Sequence, residues 1–292
     1  MSPSRSEFIN LRHLRYHVRH WGPAGAPKIF MLHGWMDVSA TFQFVVDALQ
    51  REWHVIAPDW RGFGLTDATP FGSYWYPDYL ADLDALLAHY SSDEATALIG
   101  HSMGGNVAMI YAGVQPQKVA KLVNLEGFGL PPMPPQMAPQ RYAEWLEEER
   151  QPPILGAYPS SEAVVARLRK NNPRLSEERA VFLASHWAVP SADGRWHILA
   201  DPAHKRVNPI LYRVEETLAC WSQIAAPVLW VEADHPHFLK WSADREAARR
   251  EVDNRVAIIP EVRREIVVDA GHMLHHDQPK AVAELIESFL VA

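Results

Sequence analysis

Gly100-His101-Ser102-Met103-Gly104 decides how the rest of the sequence is interpreted, because it matches the pattern Gly-x-Ser-x-Gly. Residues 95–99 before it are an apolar run typical of a buried strand, and residues 105–112 after it lack proline and predict a helix. A strand that turns sharply into a helix exposes the central side chain at the end of a sheet, and flanking glycines let both elements pass closely. The sequence therefore favours Ser102 as an exposed nucleophile over a serine that merely caps a helix.

The amino-acid composition limits which domain organisation and which binding partners the chain can have. The chain has 292 residues, of which 48% are hydrophobic and 22% charged, which suits one α/β domain with an insertion or two small domains. Its 28 basic and 35 acidic side chains give a formal net charge of −7, which argues against nucleic acid and anionic membranes as partners. The lone Cys220 excludes an internal disulfide. Residues 1–10 show no secretory signal, and no apolar run reaches about 18 residues, so we expect a cytoplasmic protein without a membrane span.

Apolar runs alternate with helical patterns along most of the chain. Strands are predicted at 28–32, 53–59, 95–99, 121–125, 227–231 and 264–268, and helices at 39–50, 78–90 and 244–252. A last helix is predicted after Asp277, and the Asp277 side chain is able to cap its N-terminus. Strands joined by helices predict βαβ units and hence a mostly parallel sheet with helices on both faces. Residues 8–21 predict a hairpin whose Arg- and His-rich side faces solvent.

The alternation stops at Leu130, where Pro131-Pro132-Met133-Pro134-Pro135 fits neither a helix nor a strand. From there to about Gln223 the sequence predicts helices only, at 139–150, 161–171, 176–188 and 208–220. We therefore divide the chain into a core at 1–129 and 224–292 and an all-helical cap at 130–223.

A serine nucleophile needs a base, and the base needs an acid. His272 follows the last predicted strand, and loops at the carboxyl ends of parallel strands share one edge of the sheet, so His272 is the candidate base. His275 and His276 just beyond it are expected to be solvated or to flank a helix. Glu126 and Asp234 each follow a strand, so either is a candidate acid. Glu232 is a weaker third candidate because it is still within its strand.

An oxyanion needs two N–H donors. The Met103 N–H at the start of the helix is one, and the Trp35 N–H in the loop after strand 28–32 is the other. His101 next to the nucleophile should turn its side chain away from Ser102. The candidate substrate contacts are His33, Gly34, His101, Trp145 and Trp187.

These features together resemble the α/β-hydrolase superfamily over essentially the whole chain. The resemblance is carried by Ser102, His272, His33-Gly34 and the insertion, and by residues 59–66, which are similar to the D-x-R-G-x-G-x-S loop of that superfamily. Within it, residues 168–178 and 233–238 resemble the serine hydrolase-like proteins. The resemblance implies an α/β-hydrolase fold with a helical cap and the chain order nucleophile, acid, histidine.

The resemblance also affects the choice between Glu126 and Asp234 as the acid that orients His272. Most members place it after the penultimate strand, which is the position of Asp234, whereas others, including haloalkane dehalogenases, place it after the strand that follows the nucleophile helix. Glu126 stands 24 residues beyond Ser102, as the second arrangement requires, and Val231 replaces the glycine usual in the first. The resemblance therefore favours Glu126, with Asp234 as the alternative.

No metal-ligand spacing, dinucleotide fingerprint or P-loop is present, so we expect neither a metal nor a cofactor. A serine cannot form the alkyl-ester intermediate of dehalogenases and epoxide hydrolases. Apolar side chains are concentrated in the cap and before the second helix, namely Trp145, Leu146, Leu155, Tyr158, Phe182, Trp187, Trp196 and Trp221, with Phe71, Tyr74, Trp75 and Tyr76. The sequence thus predicts a hydrolase of esters or thioesters with an apolar acyl or aryl group, with water as co-substrate. The alternatives are carbon–carbon bond hydrolysis, acyl transfer, and a small-molecule receptor without turnover.

Overall fold

The computed structural model describes residues 1–70, 72–92 and 94–292, so Phe71 lies outside the described residues. Its strands are β1 (Ser4–Leu11), β2 (Leu14–Trp21), β3 (Lys28–Leu32), β4 (His54–Pro58), β5 (Thr96–His101), β6 (Val119–Leu125), β7 (Ala188–Pro190), β8 (Trp196–Ile198), β9 (Val228–Ala233) and β10 (Val262–Val267). Its helices are α1 (Gln43–Val46), α2 (Tyr76–Tyr90), α3 (Met103–Val114), α4 (Ala138–Arg150), α5 (Ser161–Asn171), α6 (Glu177–Trp187), α7 (Val214–Trp221), α8 (Arg245–Val256), α9 (Leu274–Asp277) and α10 (Pro279–Val291). Within the described ranges, no helix is both long and apolar enough to cross a bilayer.

Eight strands form one sheet in the order β1-β2-β4-β3-β5-β6-β9-β10. The pairs β1/β2 and β2/β4 are antiparallel, and the strands from β4 to β10 in this order run parallel. Strand β5 is buried on both faces, because Leu98 packs into one apolar cluster and Ile99 into the other. This explains why its sequence is a continuous apolar run. The predicted mostly parallel sheet flanked by helices is confirmed.

The register of the central strands brings three loops to one place. His101 at the end of β5 pairs with Leu125 of β6, and Leu125 pairs with Val231 of β9. Ser102 and Glu126 are the residues that directly follow β5 and β6. They therefore leave the same edge of the sheet side by side, where the loop after β10 also begins.

The prediction that the Arg- and His-rich side of the first hairpin faces solvent is wrong. His17, Arg19 and His20 on β2 are all buried. His17 Nδ1 lies 2.7 Å from the Asp59 carboxylate, which supplies the polar partner that a buried imidazole needs. The sequence could not show this burial, because it depends on β2 pairing with both β1 and β4 rather than forming a sheet edge.

Two helix predictions also need correction. Residues 39–50 form a 3₁₀ turn at Ser39–Phe42 followed by the short α1, not one long helix. Asp277 does not cap α10, which begins after Gln278 without a side-chain cap. Its carboxylate instead accepts hydrogen bonds from Asn172 Nδ2 at 2.7 Å and from the Gly271 N–H at 2.9 Å. Asp277 therefore joins the insertion to the loop that carries His272.

The chain between β6 and β9 is helical at α4 to α7, but the expectation of helices alone is wrong. β7 and β8 form an antiparallel hairpin there, closed by residues 191–195 with Gly194 at φ +76°. Strands of three residues are too short for a period of two to be visible in the sequence. The last helix of the insertion begins at Val214 rather than near Asn208. Pro209 disfavours helical backbone at Asn208, which excludes a start there.

The insertion is fixed to the core by polar and aromatic contacts. The His204 ring stacks on Phe63 at 3.7 Å and on Tyr74 at 3.5 Å, and its Nε2 lies 3.1 Å from the Arg61 carbonyl. Burial lowers the pKa of His204 to about 3, so the ring is neutral near pH 7. At the other end, Trp187 Nε1 donates to the Met36 carbonyl at 2.8 Å. These contacts hold the insertion over the edge of the sheet where Ser102 lies.

Close packing of α3 against α7 generates a stability prediction. A Cβ at Gly113 would lie 1.9 Å from the Cys220 carbonyl oxygen, so Gly113→Ala must push these helices apart. We expect a loss of about 1–3 kcal/mol in the free energy of unfolding, measured by urea denaturation. Gly25→Ala is the matched control, since a Cβ there meets nothing within 4 Å, and its stability should stay within about 0.5 kcal/mol of wild type. Equal stability of the two variants would show that the helices do not pack this closely.

Candidate active site

Ser102 lies in a sharp turn between β5 and α3. Its φ of +50° and ψ of −113° are outside the regions that L-residues prefer. The turn is held on both sides, because the Ser102 N–H donates to the Leu125 carbonyl and the Asn106 N–H donates to the Ser102 carbonyl, each at 2.9 Å. A Cβ at Gly100 would lie 2.5 Å from the Gly104 oxygen, and one at Gly104 would lie 2.1 Å from the Leu32 oxygen. Both flanking glycines are therefore required by packing, as the motif predicts.

The structure brings the His272 imidazole next to the Ser102 hydroxyl. His272 lies in the loop between β10 and α9, and its Nε2 is 3.0 Å from Ser102 Oγ. The Nδ1 atom of the same ring is 3.2 Å from Glu126 Oε2. The three side chains come from segments 24 and 146 residues apart along the chain and form one continuous hydrogen-bonded row.

Glu126 is held firmly in this row. It has φ +57°, its side chain is buried, and its carboxylate accepts hydrogen bonds from the Ala233 N–H at 2.8 Å and the His237 N–H at 3.1 Å. Burial raises the pKa of Glu126, while His272 and the two amides offset part of that effect by favouring the charged form. The loop after β9 therefore contributes backbone donors to the Glu126 carboxylate.

Asp234 and Glu232, the other two candidate acids, contact different groups. Asp234 is exposed and accepts from the Asp269 N–H at 2.8 Å and the Ala270 N–H at 3.0 Å, so it braces the turn before His272. Glu232 is buried in an ion-pair network, with Arg264 Nη2 at 2.9 Å and Arg249 Nη2 at 3.1 Å. The structure thus brings Glu126, and not Asp234 or Glu232, into contact with the His272 ring.

The two predicted oxyanion donors belong to segments that adjoin the nucleophile. Met103 is the first residue of α3, so its N–H has no acceptor within the helix. Trp35 lies in the loop after β3, next to Gly34, where a Cβ would be 3.3 Å from Ser102 Cβ. The same Cβ would be 3.0 Å from His101 Nδ1, so a side chain at position 34 would crowd both neighbours. The Trp35 side chain is exposed at the mouth of the site.

His33 is a positioning residue rather than a substrate contact, which corrects the sequence-based expectation. The Trp60 N–H donates to His33 Nε2 at 2.9 Å, so the hydrogen of the neutral ring is on Nδ1, which donates to the Gly34 carbonyl at 2.7 Å. Burial lowers the pKa of His33 to about 4, which keeps the ring neutral. The fully buried ring therefore fixes the loop that carries the Trp35 amide.

A cavity of about 390 Å³ opens beside Ser102. The core contributes Gly34, Trp35, Met36, Asp37, Val38, His101, His237, Lys240, His272, Met273 and His276, and the insertion contributes Leu168, Asn171, Asn172, Leu175, Leu183 and Trp187. The predicted contacts Gly34, His101 and Trp187 thus line the cavity. The ring of His101 is turned so that its Nε2 lies 2.7 Å from the His272 carbonyl oxygen.

Trp145 does not line this cavity, so its expected role as a substrate contact is wrong. It lines a separate small cavity of about 50 Å³ together with Tyr74 and Trp75. A Trp in a cap has the same sequence signature whichever side of the cap it faces, so composition alone could not separate Trp145 from Trp187.

A family model described as the alpha/beta hydrolase fold matches residues 27–279. The chain belongs to the α/β hydrolases. A serine hydrolase-like protein of Danio rerio is 28% identical to this hydrolase over 285 residues, which span 92% of this chain and 83% of the relative. Esterase YbfF of Escherichia coli is 26% identical over 270 residues, which span 90% of this chain and 92% of the esterase.

The fold is also similar to solved structures. The thioesterase domain from the curacin biosynthetic pathway matches with a TM-score of 0.86 at 23% identity, over 98% of this hydrolase and 99% of that chain. The predicted resemblance to α/β hydrolases, and within them to serine hydrolase-like proteins, is confirmed by the family model and these relatives.

Sequence reasoning missed several polar groups around the cavity of this hydrolase. His275 and His276 are buried in α9, not solvated or flanking a helix. The ring of His237 lies 4.8 Å from the His272 ring, and burial, with His272 and Lys240 adding to it, lowers the pKa of His237 to about 4. The one available signal was that these histidines lie within a few residues of strand ends that share the edge of Ser102.

Proposed function

We propose that this hydrolase cleaves carboxylic esters or thioesters with an apolar acyl or aryl group, through an acyl-enzyme on Ser102. The observation that carries the proposal is the row of contacts in which His272 Nε2 lies 3.0 Å from Ser102 Oγ and His272 Nδ1 lies 3.2 Å from Glu126 Oε2. This is the arrangement of nucleophile, base and orienting acid that acyl transfer requires.

The first step is proton transfer from Ser102 to His272. Glu126 accepts the hydrogen on His272 Nδ1, which leaves the lone pair on Nε2 directed at the Ser102 hydroxyl. As Ser102 Oγ bonds to the carbonyl carbon, its proton moves to Nε2, and the negative charge of Glu126 stabilises the imidazolium. His272 then gives the proton to the leaving alcohol or thiol, and the acyl group remains on Ser102.

The carbonyl oxygen becomes an oxyanion during this step. The Met103 and Trp35 N–H groups are assigned to stabilise it, with the Met103 donor at the positive end of α3. Each donor of this kind contributes roughly 3–4 kcal/mol to the transition state. Water activated by His272 then attacks the acyl group and releases a carboxylic acid.

The residues that line the cavity favour a substrate with an apolar acyl or aryl group. The space next to Ser102 is lined by apolar side chains, namely Leu168, Leu175, Leu183 and Trp187 of the insertion and Val38 of the core. A cavity of about 390 Å³ is in the range of small-molecule sites. An esterase and a thioesterase domain are among the proteins that this hydrolase resembles, which agrees with an oxygen or sulfur leaving group.

Replacement of the nucleophile tests the reaction. With p-nitrophenyl acetate and butyrate we expect a burst of nitrophenol followed by turnover, and Ser102→Ala should lower the rate by about 10⁴-fold or more because no acyl-enzyme forms. Ser288→Ala, at an exposed serine of α10, is the control and should behave as wild type. Binding of the esters by the wild type without any release of nitrophenol would instead favour a receptor.

The identity of the acid is tested by a pair of conservative variants. Glu126→Gln keeps the shape of the side chain but removes the charge that stabilises the imidazolium, so kcat for p-nitrophenyl butyrate should fall by about 10⁴-fold. Asp234→Asn should keep kcat within a few-fold, since the Asp234 carboxylate accepts from two backbone amides rather than from the His272 ring. Circular dichroism and thermal unfolding check that both variants fold. The reverse order of activities would reassign the acid to Asp234.

A further inference from the structure

Three buried side chains converge beside the proposed triad without belonging to it. They are Asp37 in the loop after β3, His101 at the end of β5 and His275 in α9. Each offers a ligand atom within 4.8 Å of those of the other two, and their exposed fractions are only 9%, 1% and 0%. The register of the sheet, rather than the spacing along the chain, brings them together.

Each of the three has a polar atom without a hydrogen-bond partner among the described residues. These atoms are Asp37 Oδ2, His101 Nδ1 and His275 Nδ1. One unpaired buried polar atom is costly, and protein interiors contain few of them. Three such atoms on one cluster point to an occupant that all three bind.

Each of the three side chains makes a hydrogen bond through its other polar atom, and this bond leaves a lone pair on the unpaired atom for that occupant. His101 Nε2 lies 2.7 Å from the His272 carbonyl oxygen, which only accepts, so the ring hydrogen is on Nε2 and the Nδ1 of the neutral ring has a free lone pair. Thr41 Oγ1 lies 2.9 Å from His275 Nε2 and 2.6 Å from His276 Nε2. It is able to accept the hydrogen of His275 Nε2 while it donates its own to His276 Nε2, which leaves His275 Nδ1 free in the same way. Asp37 Oδ1 accepts from the Val38 N–H at 2.9 Å, so Oδ2 is the free oxygen.

We propose that Asp37, His101 and His275 form a binding site for one divalent transition-metal ion, with zinc as the best match. Two imidazole nitrogens and one carboxylate oxygen suit Zn²⁺, whereas Mg²⁺ and Ca²⁺ prefer oxygen ligands alone. Ligand atoms around tetrahedral Zn²⁺ are about 3.4 Å apart, so the three ligand atoms, which lie within 4.8 Å of one another, would have to move closer together on binding. The contacts to the His272 carbonyl and Thr41 are the outer hydrogen bonds that orient metal-binding imidazoles.

The position of the site gives the ion an entry route. Asp37 and His101 line the cavity beside Ser102, so an ion would reach the cluster from that cavity. The site uses no side chain of the proposed triad, although the His101 and His272 rings are only 4.9 Å apart. Metal binding is therefore measurable independently of ester hydrolysis.

The test measures retained metal and its spectrum. Protein stripped with a chelator, loaded with Zn²⁺ and dialysed should retain one zinc per chain by mass spectrometry of the metal, and Co²⁺ should give the intense visible bands of tetrahedral coordination. Asp37→Asn and His275→Asn should each weaken Zn²⁺ binding by at least about tenfold. His237→Asn is the matched control, because this histidine lines the same cavity but is outside the cluster.

Ser102→Ala protein should bind zinc as wild type does, which separates this result from the proposed hydrolysis. The proposal is overturned if the wild type retains no zinc, or if Asp37→Asn and His275→Asn retain as much as His237→Asn does. Thermal unfolding of the metal-free variants shows whether they fold. If either ligand variant does not fold, the Co²⁺ spectrum of the wild type decides, and purely octahedral bands contradict the site.

Discussion

The backbone of Ser102 is held in a conformation that L-residues avoid, and the central sheet supplies the constraint that holds it there. The strand pairing of β5 with β6 fixes the Ser102 N–H on the Leu125 carbonyl, while α3 fixes the Ser102 carbonyl. Such strain costs of order 1–3 kcal/mol and persists only where the surrounding structure determines it fully. Met36, Glu126 and Asp269 also have positive φ values, of +57°, +57° and +55°. They follow β3, β6 and β10, so with Ser102 they make four of the six non-glycine residues with positive φ in the described ranges, and these four lie at the edge that carries the candidate site. The other two, Arg12 and His13, form the turn between β1 and β2.

Rigid support around that edge comes from buried polar groups. The Asp59 carboxylate accepts from the Ser39 N–H at 2.6 Å and the Leu65 N–H at 2.9 Å, and so joins the end of β4 to two loops. His33 fixes the Gly34 carbonyl, and Asp234 fixes the turn before His272. These residues resemble catalytic groups in the sequence because they are polar and follow strands. Their function in the structure is to hold loops in place.

Much of the fold could be predicted from local patterns, since apolar runs identified the parallel strands and the Gly-x-Ser-x-Gly turn identified the central one. The contacts of Glu126 could not be derived from residues alone, because two strand ends carried a suitable carboxylate and only the folded position of the loop after β10 shows which of them meets the His272 ring. The burial of His275 and the direction of Trp145 depend on tertiary packing, which has no local signature. The short β7–β8 hairpin was missed for a different reason, since three residues per strand do not establish a period.

Labelling with a fluorophosphonate tests the central claim most directly, because the probe reports whether Ser102 is an activated nucleophile without assuming a substrate. Peptide mass spectrometry of the labelled protein should find one adduct, on Ser102, and His272→Ala should slow its formation by about 10³-fold or more. No adduct, an adduct on another serine, or a labelling rate that does not depend on His272 would contradict the account.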